Sequence, residues 1–285
     1  MSINICPKHS EPENKQNDPK NDLNDPKLSM SLKCNDISIV SGYWIVKGKH
    51  SHNSYKAWFK TSLKINCPYI FFCDNDSIKI IKQFRHDYNT MYIILPMNEF
   101  YTYKFINENG NETNVIKTDH RHCPSAEVWS VWNEKIFLIE KAKNLNPFNS
   151  KYFIWLDAGL SPYRNKTPPQ TFPNIKKFTK TFDNKFVFTA TQDNFSLNEY
   201  DGNKNGIKNE NKCERNPYYH YISGTFLVHI NIIDQIVHLY KQYLNDMNEN
   251  IINTEQVILT QMYVDHKELF YELGKGYGTI VKYLA

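Results

Sequence analysis

The chain has 285 residues, with 34 Lys and Arg against 30 Asp and Glu, for a formal net charge of +4. That length suits one large α/β domain with a full core, and 40% hydrophobic residues with 14% aromatics exclude disorder of the whole chain. The basic residues are spread along the sequence, so no nucleic-acid partner is expected, while a mild positive bias suits a phosphate-bearing ligand. Six cysteines (Cys6, Cys34, Cys67, Cys73, Cys123, Cys213) form no CxxC pair or zinc spacing and read as free thiols in a reducing compartment. No apolar leader is visible, and no run approaches the roughly 18 apolar residues of a membrane span, so a soluble, cytoplasmic protein is expected.

Residues 1–35 are polar and punctuated by proline, with Asn17-Asp18-Pro19-Lys20 repeated at Asn24-Asp25-Pro26-Lys27. They are expected to form a disordered tail ahead of a single domain over 36–285. The domain opens with a strand at Ile37–Tyr43 and a helix over 54–65, where Tyr55, Trp58, Phe59 and Leu63 recur at helical spacing. Strands follow at 69–74 and 91–95. Ser125 is placed to cap a long helix whose Val128, Trp132, Ile136, Ile139 and Ala142 form one apolar face, ending at Asn146-Pro147 because the residue before proline avoids helical angles. Further on come a strand at 185–190, a polar loop over about 194–217, a strand at 221–229, a helix over about 231–244, and a second helix capped by Thr254. This alternation implies an α/β fold, a mostly parallel sheet with helices on both faces.

The run Tyr152-Phe153-Ile154-Trp155-Leu156-Asp157-Ala158-Gly159 is apolar until it stops in one carboxylate and two small residues. Open α/β sheets bind ligands beyond the carboxyl ends of their strands, so Asp157 is placed to hold a metal or a hydroxyl, and Ala158 and Gly159 leave room for a ligand near the backbone. The same pattern also fits a turn after a core strand.

Four islands carry a resemblance: Ser41-Gly42-Tyr43; the strand at 69–74, ending in Asp74; the block from Trp132-x-x-Lys135 through Asn146-Pro147-Phe148-Asn149-Ser150 to Gly159; and Ser223-Gly224-Thr225-Phe226 with Thr254-Glu255-Gln256. Over about residues 37–285 the series resembles the HtrL/YibB-like family of proposed glycosyltransferases, related in pattern to GT-A nucleotide-sugar transferases. The resemblance implies a GT-A fold, a Rossmann-like mixed sheet with nucleotide at the early strand ends and a divalent ion, Mn²⁺ or Mg²⁺, at the Asp-bearing strand end. Most GT-A enzymes carry Asp-x-Asp there, whereas this chain has Asp157-Ala158-Gly159. Either Asp157 binds the metal with help from elsewhere, or no metal is firmly held.

On the same resemblance, Ser41, Gly42, Tyr43 and Asp74 meet the donor base, Lys135 its diphosphate, and Asp157 and Gly159 the metal and donor sugar. Gly224 and Thr225 line the sugar and acceptor side, Glu255 and Gln256 sit at the reacting centre, and Lys275 is a second cation for the donor. Read from the residues alone, Lys135 is a solvated helix-face lysine, Glu255 a favourable first-turn charge, and Gly274-Lys275-Gly276-Tyr277-Gly278 a Gly-rich turn rather than a P-loop. Trp129 and Trp132 read as core, and His120, His122, His220, His229 and His266 show no metal-protease spacing, though one of them can complete the Asp157 site. The implied activity is metal-assisted transfer of a sugar from a nucleotide-sugar donor to a glycan or protein hydroxyl, with the polar loop as a lid. The missing second carboxylate leaves a non-catalytic nucleotide- or carbohydrate-binding protein on a degenerate GT-A fold as the alternative.

Overall fold

The early apolar runs are four to seven residues long and rich in aromatic and β-branched side chains, so they extend and pair: β2 Ile37–Tyr43, β3 Tyr69–Cys73, β4 Thr90–Ile94 and β5 Tyr152–Trp155. Every residue of β3 and β5 is buried, as expected of parallel strands covered on both faces. A computed structural model of the chain describes residues 3–5, 36–48, 50–85, 89–108, 125–191, 200–201, 206–207, 220–245 and 254–285. With β1 Ile3–Ile5, β6 Phe186–Ala190, β7 Ile222–His229 and β8 Phe270–Lys275, the strands form one sheet in the order β1-β4-β3-β2-β5-β7-β6-β8. Neighbours from β4 to β5 are parallel, as are β6 and β8, while β7 runs against both β5 and β6 and β1 runs against β4. The expected class, a mostly parallel mixed sheet, is the one adopted.

Strand alternation sends Val40, Ile70, Phe72 and Phe153 to one face, under α3 Tyr101–Glu108, α4 Ala126–Leu145, α5 Ile233–Asn245 and α6 Glu255–Asp265. Ile39, Phe71 and Ile154 point to the other face, under α1 His52–Ser62, α2 Ser77–Arg85 and α7 Ile280–Tyr283. Helices therefore cover both sides. Cys67 and Cys73 are buried and form no disulfide among the described residues; the other four cysteines, the polar loop over 194–217 apart from the backbone of Tyr200–Asp201 and Gly206–Ile207, and residues 1–2 and 6–35 of the expected tail lie outside the described residues.

Most expected elements form within a few residues of their bounds, and others appear that were not expected. These are the short helices α2, α3 and α7, the edge strand β8, and β1, which falls in the segment expected to be a disordered tail and instead pairs with β4; β8 runs into the Gly-rich segment and ends at Lys275, after which Gly276 and Gly278 adopt positive φ in the turn to α7. Ser125 caps α4 by accepting a hydrogen bond from Val128 N at 3.3 Å. At its far end Asn146 is left-handed, φ 30°, and its side chain bonds both backbone groups of Ser150, so the stop is a side-chain-supported αL cap as well as the approach of Pro147. Thr254 holds the cap position of α6, but its hydroxyl makes no capping bond.

Helix α4 is buried around most of its circumference, Asn133, Glu134 and Lys135 included. Glu134 accepts from Tyr101 N (3.2 Å), Thr102 N (3.0 Å) and Thr102 Oγ1 (2.8 Å), and so caps α3 from a neighbouring helix. Burial, opposed by these hydrogen bonds, pushes its carboxyl up from 4.5 to about 7. The folded state therefore keeps this proton longer than the unfolded chain, and the contribution of Glu134 is most favourable below pH 4.5 and is lost as pH rises to about 7. The loss amounts to about 3 kcal/mol. Urea unfolding between pH 4.5 and 7.5 should show a decline in stability that flattens by about that amount in Glu134→Gln.

Candidate active site

Chain direction around β2 creates the site. From β2 the chain winds outward to β3 and β4, then returns through α4 to lay β5 on the opposite side of β2. At such a reversal the connections leave in opposite directions and a crevice opens beyond the carboxyl ends of the two strands. A cavity of about 460 Å³ occupies it, lined at the strand ends by Gly42, Tyr43 and Asp157 and from the helices by Lys135 and Glu255. Its size suits a small organic ligand.

Antiparallel β7 completes the floor. Trp155 lies opposite Phe226, and continuing that register sets Asp157 opposite Gly224. A Cβ on Gly224 would fall 3.3 Å from Lys135 Nζ, 3.3 Å from the Tyr277 hydroxyl and 3.6 Å from Glu255 Oε1. Glycine thus leaves the space in which three charged or polar side chains meet.

Lys135 is the centre of that meeting. Its Nζ donates to Glu255 Oε1 at 2.6 Å and lies 3.1 Å from Asp157 Oδ1, which also accepts from Trp155 Nε1 at 2.9 Å. Lys135 and Glu255 are each 3% exposed, whereas the Asp157 side chain is 40% exposed. One carboxylate is almost wholly buried at the cavity wall and the other is open to the cavity. Burial disfavours the ammonium, but Asp157 and Glu255 more than offset it and hold Lys135 above its ordinary pKa. Burial raises the Glu255 carboxyl, against the attraction of Lys135, and its Oε2 is buried without a hydrogen-bond partner. The ring of Tyr277 is 45% exposed while its hydroxyl reaches this cluster; burial, with Asp157 adding, pushes it up to about 12.

The rim is aromatic and basic. Tyr43 donates to or accepts from His52 Nδ1 at 3.0 Å and packs on Tyr55. Tyr55 in turn packs against Trp58 and His50. The Arg164 guanidinium carbon lies over Trp58, 3.8 Å from the ring centroid, and its Nε donates to Gly159 O at 3.2 Å.

The sequence-derived site residues divide. Gly42, Tyr43, Lys135, Asp157, Gly159, Glu255 and Gln256 line the cavity, and Gly224 stands behind the Lys135 cluster. Gln256 also donates from Nε2 to Ile222 O at 3.2 Å, tying α6 to β7. Ser41 and Thr225 are buried within their strands and do not line the cavity. Asp74 accepts from Asp76 N and Ser77 N and so caps α2, and Lys275 is exposed beyond the cavity wall. The solvated-lysine alternative for Lys135 is overturned by its burial. Trp129 is core as expected, whereas Trp132 is half-buried and lines the cavity with His220. Arg164 and Tyr277 were not anticipated; a basic residue seven positions after Asp157 and a tyrosine between two turn glycines carry no local pattern that marks them.

A protein-held divalent ion does not fit these residues. Among the described residues no group of three His, Cys, Asp or Glu side chains converges, and the oxygen of Asp157 nearest the cluster already accepts from an indole N–H and faces an ammonium. The ammonium stands where a second acidic ligand would be needed.

Fold and cavity together define an α/β protein with a cavity at the sheet's switch point. The sequence profile described as "Bacterial protein of unknown function (HtrL_YibB)" matches residues 34–279, and the chain belongs to that family. No curated protein matches it in sequence. Among solved structures the chain is similar to apo mouse xyloside xylosyltransferase 1, at 12% identity over 84% of this chain and 85% of that one, with a TM-score of 0.47. It is also similar to 4-diphosphocytidyl-2C-methyl-D-erythritol synthase from Anaerococcus prevotii, at 15% identity over 87% and 92% with a TM-score of 0.44. A third is the Mn/GDP form of core-mannan synthase A from Aspergillus fumigatus, at 11% identity over 80% and 69% with a TM-score of 0.46. Among the described residues no helix is long and apolar enough to cross a membrane.

Replacing Lys135 by Met leaves Glu255 buried without its counter-charge and should cost about 3–5 kcal/mol at pH 8 by urea unfolding. The deficit should shrink at pH 5, where Glu255 can take up a proton. The double variant Lys135→Met/Glu255→Leu should recover most of the loss, because two apolar groups then replace the pair.

Proposed function

We propose that the chain is a glycosyltransferase of GT-A type, moving a sugar from a nucleotide-sugar donor to a hydroxyl of a glycan or protein acceptor. The observation that carries this reading is the buried Lys135 held between Glu255 and Asp157 at the floor of the switch-point cavity. In the proposed reaction the bond between the sugar's anomeric carbon and the donor diphosphate breaks. A bond from the acceptor oxygen to that carbon forms, and the acceptor's proton passes to a carboxylate.

Each side chain has a place in that scheme. Asp157, open to the cavity, accepts hydrogen bonds from donor-sugar hydroxyls and fixes the ring. Lys135 supplies positive charge toward the leaving diphosphate in a site largely shielded from water. Glu255, at the cavity wall, is the general base, and burial moves its carboxyl up from the ordinary range toward the pH at which a base is most effective. Gln256 is a positioning residue that holds the start of α6 against β7. Trp132, Tyr55 and Tyr277 offer faces for a base or sugar ring.

The closure of Lys135 by two carboxylates also supports a second reading, a non-catalytic nucleotide- or carbohydrate-binding protein, because its charge is matched before any ligand arrives. Release of nucleoside diphosphate from UDP-, GDP-, CMP- and dTDP-sugars, with CMP scored for the CMP donors, separates the two. The transferase reading expects release with at least one donor, accelerated by an acceptor glycan. Glu255→Gln, which keeps the hydrogen bond to Lys135, should lower kcat roughly 10²–10⁴-fold with little change in KM. Donor binding without release would favour the binding protein, and no donor binding at all would sink both.

A further inference from the structure

The cavity contains a cation that no carboxylate neutralises among the described residues. Lys135 faces two carboxylates, so that cluster carries a formal charge of −1 when both are ionised and, taken alone, would repel an anionic donor. Arg164 has no carboxylate within ion-pair distance among the described residues. Its pose is nonetheless fixed: the guanidinium lies over the Trp58 ring, Nε is bound to Gly159 O, and both terminal nitrogens are without a partner among the described residues. The backbone beneath it is fixed too. Thr61 Oγ1 donates to Tyr163 O (2.7 Å) and Arg164 O (3.0 Å), and Ser62 Oγ donates to Ala158 O (2.6 Å), so the turn from Asp157 to Arg164 is stapled to α1. The hydroxyls of Tyr55 and Tyr277 both feel Arg164 and Lys135, which places the two cations within electrostatic reach of the same part of the cavity.

A planar fork with two unused nitrogens matches the oxygens of a phosphate, and prior stacking lowers the entropy lost when it binds. Resting on the transferase reading, we infer that Arg164 is a donor-binding residue that grips the diphosphate of the nucleotide sugar together with Lys135, so that donor binding does not depend on a divalent cation. The ligand class is a nucleoside diphosphate. Arg164 then offsets the net negative charge of the Lys135 cluster, and a grip on the second phosphate group distinguishes a diphosphate from a monophosphate.

Calorimetric titration of the full chain with UDP, GDP, CDP and dTDP, each in EDTA and in Mn²⁺, tests this, with the matching monophosphates as comparison. The expected result is binding of at least one diphosphate with dissociation constants in EDTA and Mn²⁺ that agree within about threefold. Arg164→Ala should weaken the diphosphate roughly 30-fold or more and the monophosphate much less. Arg164→Lys keeps the charge without the fork and should restore only part of the loss. Because Arg164 also packs on Trp58, thermal melts accompany each variant, and Arg164→Lys carries the test if the alanine variant does not fold. Binding seen only in Mn²⁺, or unchanged in both variants, overturns the inference and leaves the transferase reading standing. Binding of no nucleotide under either condition overturns that reading and the inference with it.

Discussion

One buried ammonium ties together the parts of the molecule that matter for chemistry. Lys135 sits on α4, Glu255 opens α6 and Asp157 follows β5, so the two short contacts of Lys135 fix two helices and a strand end relative to one another. Taking these charges out of water is costly, and the site is tolerable only because the partners are close and the geometry is closed. Glycine at position 224 gives that closure its room, since a Cβ there would fall 3.3 Å from both Lys135 Nζ and the Tyr277 hydroxyl. A pair that contributes little net stability against an apolar replacement has a clearer rationale as chemistry than as glue.

The fold was legible where burial on both faces produces an unbroken apolar run. β2, β3 and β5 read directly from their sequences, and Ser125 and Asn146 mark both ends of α4. β8 was not legible, because it is an edge strand whose side chains after Phe270 are half-exposed and whose Gly274 breaks the pattern. α2 and α3 are short, and α3 takes its N-terminal cap from Glu134 on a different helix, a contact that no local motif records.

The site was legible in part. Asp157 could be placed from the residues alone, because an apolar strand that ends in one carboxylate points to the strand's carboxyl end. Lys135 and Glu255 could not: a single apolar face over Val128, Trp132, Ile136, Ile139 and Ala142 leaves Lys135 in solvent, whereas α4 packs against its surroundings nearly all round. Only the resemblance singled them out. Arg164 and Tyr277 had neither pattern nor resemblance to mark them, since their value comes from a cavity built by residues more than a hundred positions apart.

In the proposed transferase the different exposure of the two carboxylates gives them different work. Environments that treat two acids differently are what allow one to handle a proton while the other stays a fixed hydrogen-bond acceptor. Glu255 is sealed, raised by burial and left with one orphan oxygen, so uptake of a proton relieves an electrostatic cost already present in the resting protein. Asp157 is open, oriented by the Trp155 indole and close to Lys135, so it presents an acceptor in a fixed direction. If a diphosphate enters beside Lys135, that ammonium must divide its attraction among three anions, and its hold on Glu255 weakens. The weaker hold makes Glu255 a stronger base at the step that requires one. Donor binding and proton abstraction are then coupled through a single nitrogen, with no moving part beyond a shared charge.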